Sequence, residues 1–125
     1  MLTVLPIQLK DTQKELCEKC GVPFKQNAFA YRADDGDFIG ICQFYFKDNN
    51  GYIDNLTYAP GVNDWEAMII MLRASMSFMY RCGIELVYLS SDTDEELLKK
   101  SGFLKDKDGK YYINVQKFYG GSCCH

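Results

Sequence analysis

The most distinctive chemistry in the chain belongs to sulfur and imidazole donors near its two ends. Cys17 and Cys20 stand three residues apart, and Cys123, Cys124 and His125 close the sequence after Gly120-Gly121. Thiolates together with an imidazole make a site for zinc or another thiophilic metal if the tail folds back on the segment carrying Cys17. A single Cys-x-x-Cys also fits other readings. Structural zinc motifs place each pair on a tight turn, whereas this spacing on a helix only puts both thiols on one face. A redox or partner-binding tail, and incidental thiols at a fraying terminus, stay open beside the metal reading. His125, the only histidine and the last residue, is expected in solvent and not in catalysis. Cys42 and Cys82 sit singly within apolar patterns, where cysteine behaves as a small buried hydrophobe.

Composition bounds what these residues can belong to. With 125 residues, 47% of them hydrophobic and 25% charged, the chain has the balance of one globular domain and is too apolar for disorder. We expect that domain to span residues 1–119, with 120–125 as a Cys/His-containing tail. Fourteen basic residues against 17 acidic ones give a net charge of −3, which disfavours electrostatic capture of nucleic acid or an anionic membrane. No apolar run is long enough to span a bilayer, and Met1 to Lys10 lacks the basic start and long apolar stretch of an export signal. The expectation is therefore a cytoplasmic protein with reduced thiols.

The elements that must position any site follow from periodicity and turn chemistry. Leu2 to Leu9 reads as a strand, and Pro6 assigns it to a sheet edge because proline cannot donate to a ladder. Asp11 is placed to cap a helix over Thr12 to Lys19 that Gly21 ends. Asn27 to Arg32 and Asp37 to Lys47 read as strands joined by a turn at Ala33-Asp34-Asp35-Gly36. A second turn, Asp48-Asn49-Asn50-Gly51, leads into a third strand, Tyr52 to Tyr58. Beyond Pro60 the period changes to about 3.6, with Trp65, Met68, Ile69, Leu72, Met76 and Met79 on one stripe. That stripe could line a ligand box, but helical spacing points to core packing. Asp64 caps this helix and Gly83 ends it. Ile84 to Leu89 reads as a strand buried on both faces, Thr93 to Lys100 as a helix closed by Gly102, and Tyr111 to Phe118 as a last strand after the Asp108-Gly109 turn. A helix between the strands ending at Tyr58 and starting at Ile84 is a crossover, so those two strands should be parallel neighbours. The fold class is a mixed α/β (α+β) sheet, mostly antiparallel with one parallel pair.

This order of elements resembles the GNAT superfamily of N-acetyltransferases, and local sequences agree with it. Tyr52-Ile53-Asp54-Asn55-Leu56-Thr57-Tyr58-Ala59-Pro60 resembles the family's fourth strand and Met71-Leu72-Arg73-Ala74 its next helix. Gly83-Ile84-Glu85-Leu86-Val87-Tyr88-Leu89 resembles the fifth strand, and Leu97 to Phe103 the segment that ends in Gly-Phe. The resemblance implies acetyl-CoA as cofactor and a small-molecule or peptide amine as acceptor. It implies that the Leu56, Thr57 and Tyr58 backbone holds the thioester and that Asn63, Asp64, Trp65, Glu66, Ala67 and Met68 meet the pyrophosphate, at the positive end of a helix. It also implies Asp54 as a general base drawing a proton from the amine through water.

The sequence departs from the family at two points. Asn63 to Met68 stand where the family has Arg or Gln, two variable residues, Gly, one variable residue and Gly or Ala, so the pyrophosphate loop is degenerate and two carboxylates enter it. Leu98 aligns with the tyrosine that many members use as general acid; Tyr88, Tyr112 and Tyr119 are the candidates to replace it. The leading expectation is an acyl-CoA-dependent N-acetyltransferase. The alternatives are a non-catalytic GNAT-like binding or regulatory module that has lost the cofactor site, and a thiol or metal-binding protein on the same scaffold.

Overall fold

The computed structural model describes residues 1–89 and 94–120. The segments rich in Phe, Tyr and Ile form an antiparallel meander of β2 (Phe29–Asp35), β3 (Asp37–Lys47) and β4 (Asn50–Tyr58). Its first turn is tighter than the four residues expected. Ala33 and Asp34 belong to the ladder, and Asp35 pairs with Asp37 around Gly36, whose φ is +78°. In the second turn Asp48 and Asn49 take φ of 53° and 68°, the mirror-image geometry that matches strand twist.

β1 (Thr3–Pro6) pairs with β2 at the sheet edge, as Pro6 requires, but is shorter than the Leu2 to Leu9 run. The chain then turns into α1 (Lys10–Cys20), which starts after Leu9 and not after Asp11. No side chain caps it, and Asp11 instead sits in the first turn, where its charge complements the helix dipole.

α2 (Trp65–Arg81) is capped by the Asp64 carboxylate and ends at Cys82, followed by Gly83 at φ 82°. It buries Met68, Leu72, Met76 and Met79 as its spacing predicts, and Ala67, Met71 and Ser75 beside them. Cys42 is buried against Ser75, whereas Cys82 is exposed at the helix end and is not the core residue expected.

β5 (Leu86–Leu89) runs parallel to β4. Val87 and Leu89 are buried and Leu86 and Tyr88 only half-buried, so β5 is sealed on one face and not on both. α3 (Glu95–Lys100) is capped by Asp94; Thr93, the expected start, lies outside the described residues. β6 (Leu104–Lys105) and β7 (Tyr111–Asn114) form a hairpin, and α4 (Val115–Gly120) replaces the second half of the expected last strand. The Asn114 carboxamide accepts from the Lys117 amide at 3.1 Å and starts the helix. Gln116 Nε2 then donates to the Tyr80 and Ile84 carbonyls, drawing α4 onto the end of α2.

The sheet has the order β1-β2-β3-β4-β5-β7-β6, with β4 and β5 the parallel pair. α2, α3 and α4 share a core on one face through Leu72, Met76, Leu97, Leu98 and Val115. Among the described residues α1 is the one helix on the other face, where Leu16 and Cys17 meet Ala30 and Ile41. No described helix is long and apolar enough to cross a membrane.

Candidate functional site

Among the described residues the parallel pairing of β4 and β5 is short. Gly51, Tyr52 and Ile53 pair with Val87, Tyr88 and Leu89, the last described residue of β5, and β4 continues to Tyr58. Beyond Ile53 the β5 side of β4 therefore has no strand partner among the described residues. A cleft of about 410 Å³ opens at that divergence, lined by Leu56, Thr57 and Tyr58 of β4, Asn63, Trp65 and Met68 around the start of α2, and Asp94 and Leu97 of α3. The residues assigned to the thioester and several of those assigned to the pyrophosphate are thus brought together.

A bulge decides where Asp54 goes. Gln43 pairs with Asn55 and Phe44 with Ile53, so Asp54 is the extra residue in β4. Bulges re-aim side chains in this way. Asp54 lines two grooves, one of about 640 Å³ shared with Lys25 and Lys47, and one of about 200 Å³ shared with Tyr45, Tyr52 and Tyr88. Its Oδ2 is buried and accepts no hydrogen bond, and the nearest cation, Lys25 Nζ, stands 3.8 Å away.

Lys25 is held by a polar core that the sequence reading missed. Gln43, fully buried, accepts from Gln13 Nε2 at 2.8 Å and from the Lys25 amide at 3.2 Å, and donates to the Pro23 carbonyl at 2.9 Å. A buried carboxamide with its bonds satisfied fixes what it touches. Here it fixes the segment between α1 and β2 above Asp54.

The tyrosine candidates separate. Tyr88 lies on the α1 side of the sheet, stacked on Tyr52 at 5.4 Å between centroids, with Tyr112 beyond it at 6.5 Å. Tyr119 lies on α4, its hydroxyl donating to the Arg73 carbonyl at 3.3 Å and its ring against Tyr80, so it braces α2 and lines neither groove nor cleft. Leu98, aligned with the family's tyrosine, is fully buried. Among the described residues Tyr58 supplies the one phenol lining the cleft. Burial pushes that phenol up, and the charges of Asp64 and Asp94 add to the shift, so it stays protonated.

The thiol cluster does not form a metal centre in the described residues. Cys17 is wholly buried under α1, and Cys20 directs its sulfur to the Thr57 carbonyl at 3.9 Å. Burial raises both thiols, Cys20 to about 11, which opposes the thiolate that a metal needs. No group of three or more His, Cys, Asp or Glu side chains able to hold a metal occurs among the described residues, so the zinc assignment finds no support in them. Cys123, Cys124 and His125 lie outside the described residues.

No protein-family profile and no curated protein sequence matches this chain. Solved structures do. The spermidine N-acetyltransferase of Vibrio cholerae superposes with a TM-score of 0.73 at 11% identity, over 97% of this chain and 98% of that one. The IAA acetyltransferase of Bacillus cereus ATCC 14579 gives 0.71 at 18% identity, over 86% and 79%. A GNAT-family acetyltransferase of Staphylococcus aureus MU50 gives 0.68 at 11%, over 92% and 99%. The chain has the fold of the GNAT N-acetyltransferases.

Acetyl-CoA is the cofactor that the sequence resemblance implies, and the cleft would meet its two halves differently. The free edge of β4 and the apolar Leu56, Trp65, Met68 and Leu97 suit a thioester and its amide-bearing arm. The start of α2 does not suit a diphosphate. Asp64 Oδ1 already accepts from the Ala67 amide at 3.1 Å, and Asp94 lines the same cleft. A cation beside the cleft is Lys100, whose Nζ rests 5.3 Å from the centre of the Trp65 ring.

Proposed function

We propose that this chain transfers an acetyl group from a CoA thioester to an amine, across the point where β4 leaves β5. The observation that carries the reading is that divergence. Among the described residues Leu56 to Tyr58 have no partner on the β5 side and line a cleft, while the bulge turns Asp54 into grooves on the other side. A strand edge of this kind offers amide donors to a developing oxyanion, and a carboxylate at the acceptor side holds an ammonium and takes up its proton through water. Bound acetyl-CoA would supply the acyl group: the amine nitrogen would bond to the carbonyl carbon, the C–S bond would break, and CoA would leave as its thiol on taking up a proton. The solved structures of the same fold that are named as acetyltransferases support this chemistry.

One observation favours a second reading, a binding module without the cofactor: the Asp64 carboxylate occupies an amide that a diphosphate would need. Two unit charges about 4 Å apart interact by about 4 kcal/mol at an effective dielectric of 20, enough to weaken an anion's affinity by more than a hundredfold. Calorimetric titration of the reduced protein with acetyl-CoA, and separately with CoA, tests both readings. Saturable micromolar binding supports the transferase. Absence of binding at millimolar ligand overturns it and leaves the module.

A further inference from the structure

Four tyrosines on successive strands form a ladder on the face of the sheet opposite α2. Tyr45 pairs with Tyr52, Tyr52 with Tyr88 and Tyr88 with Tyr112 in direct register. The first two rungs stack at 5.3 and 5.4 Å, with ring planes within 18° of each other. Their neighbours Phe44, Val87, Leu89 and Ile113 are buried in the α2 core, so the tyrosines point the other way, where they stay half-buried. A row of aromatic side chains left half-open needs an explanation, because each could have been a smaller polar residue at no cost to the core.

We propose that the groove at the Tyr52–Tyr88 rung is a binding pocket for a primary ammonium group carried on an aromatic stem. In the acetyl-transfer reading, on which the word acceptor rests, this ligand is the amine acceptor. The ammonium end is assigned by Asp54. Its side chain lines the groove and is 28% exposed, and no described donor hydrogen-bonds its Oδ2, which is closed to solvent 3.8 Å from Lys25 Nζ, so the open part of the carboxylate is what meets an N–H donor. An ammonium brings three such donors and the opposite charge.

The stem is assigned by the ladder. Rings stacked on one another present their edges to the groove, and a flat ring laid over those edges adopts the favoured edge-to-face contact. At about 200 Å³ the groove is smaller than the pockets that enclose whole ligands, so it takes one end of a molecule, an ammonium and its adjoining ring.

Charge narrows the class further. Lys110 lines the same groove, and Lys25 and Lys47 line the adjoining one. A second ammonium on the ligand would face lysine, which favours a monoamine over a polyamine. The position is also suitable for transfer. Ile53 and Leu89, the last paired residues of β4 and β5, form part of the groove. Asp54 is two residues from Leu56, about 7 Å along the strand, so an amine on Asp54 reaches the gap that opens into the cleft.

The test is titration of the full chain with phenethylamine, with no acyl donor present, read by tyrosine ring resonances and by calorimetry. Phenethylamine is expected to saturate in the millimolar range or below and to move the resonances of Tyr52 and Tyr88. Phenylacetate and N-acetylphenethylamine, which keep the ring and lose the positive charge, are expected not to bind. Asp54→Asn keeps the shape and is expected to weaken phenethylamine by about tenfold or more, the loss of one charge-assisted bond. Tyr88→Leu, folded as judged by its unchanged amide spectrum away from β5, is expected to weaken it as well.

No saturation by phenethylamine, equal binding of phenylacetate, or undiminished binding by Asp54→Asn would overturn the proposal, and tighter binding of spermidine would overturn its monoamine part. Binding of phenethylamine without acetylation on adding acetyl-CoA would keep the pocket and remove the transferase reading. Acetylation of some other amine, with no phenethylamine binding, would do the reverse.

Discussion

Strand β4 shows two surfaces built to different rules. Toward α2, Ile53, Leu56 and Tyr58 run from a sealed core into a cleft lined by Asp94, and at the start of α2 the Asp64 carboxylate is already bonded to the helix it caps. Toward α1, Asp54 and Tyr52 face grooves in which a carboxylate oxygen has no donor and the tyrosine rings are half-open. On the first surface the Asp64 carboxylate already takes the Ala67 amide, which leaves an anion one donor fewer. The second keeps an unmet acceptor beside apolar area. In the acetyl-transfer reading proposed above, the contrast makes the Asp54 side the better suited to recognition and the start of α2 the less suited to an anion.

The largest effect should come from the sealed side. Leu72 is fully buried between α2 and the sheet, so Leu72→Ala is expected to cost about 2–5 kcal/mol in urea denaturation, through lost burial and the cavity left behind. Tyr112→Leu, at the open end of the ladder, removes one cross-strand pair and is expected to cost about 1 kcal/mol or less. Equal losses would mean that the ladder is core after all and would break the comparison.

Gly40→Ala probes the strand that both surfaces share. A Cβ at Gly40 would lie 2.5 Å from the Thr57 carbonyl oxygen, a backbone atom that cannot swing aside. β4 must shift where it lines the cleft, at an expected cost of about 1–3 kcal/mol, the range for overpacked sites. Trp65, which lines the same cleft, should report the shift as a change in emission. A variant with unchanged stability and emission would show that β4 moves freely there and that the divergence from β5 is not held by packing.

How much of this was legible beforehand depends on the range of the signal. The meander, the parallel crossover and the Met68-Leu72-Met76-Met79 stripe follow from periodicity and turn residues, which act locally, and the structure keeps them. The last strand was misread because Tyr111 to Phe118 carries strand-like residues throughout, while its end is set by Asn114 capping Lys117 and by Gln116 reaching the α2 terminus. Those are tertiary bonds with no local pattern. β5 was expected to be buried on both faces because its short run is apolar, but the helices that follow it pack on the α2 side only. The residues around Asp54 were half legible. Its own position was marked by resemblance, whereas Lys25, Gln43 and the ladder needed the register. An alternation of tyrosine with buried residues in β3, β5 and β7 was the available hint.

Asp64 offers a finer test of the cleft side, because its cap and its charge can be separated. Asp64→Ala is expected to lose about 1 kcal/mol as an N-cap, and Asp64→Ser, which still caps, only a few tenths. Both remove the carboxylate from the anion position, so both are expected to raise CoA affinity by roughly tenfold or more in calorimetry. Unchanged CoA affinity in Asp64→Ser would mean that the carboxylate does not obstruct the cleft, and the contrast between the two sides of β4 would narrow to their aromatic content.

The smallest effect near neutral pH, and the one that compares the faces most directly, belongs to two thiols. Cys42 is sealed on the α2 side and burial pushes it up to about 12; Cys20, half-buried under α1, rises to about 11 through burial and the neighbouring Cys17. An unfolded thiol ionises near the ordinary value of 9.0, so above that pH the unfolded chain has released protons that the folded chain still holds. Folding stability from these groups is complete below pH 9.0 and falls as the pH rises, first toward the Cys20 value and then toward that of Cys42. Denaturation midpoints should therefore be flat near neutrality and decline above pH 9.0. Iodoacetamide should label exposed Cys82 ahead of Cys20, and Cys42 last, since the thiolate is the reacting form and Cys42 has no route to solvent. If Cys42 is alkylated in the folded protein as fast as Cys20, the α2 side opens as readily as the α1 side, and its sealed character is not what separates the two surfaces of β4.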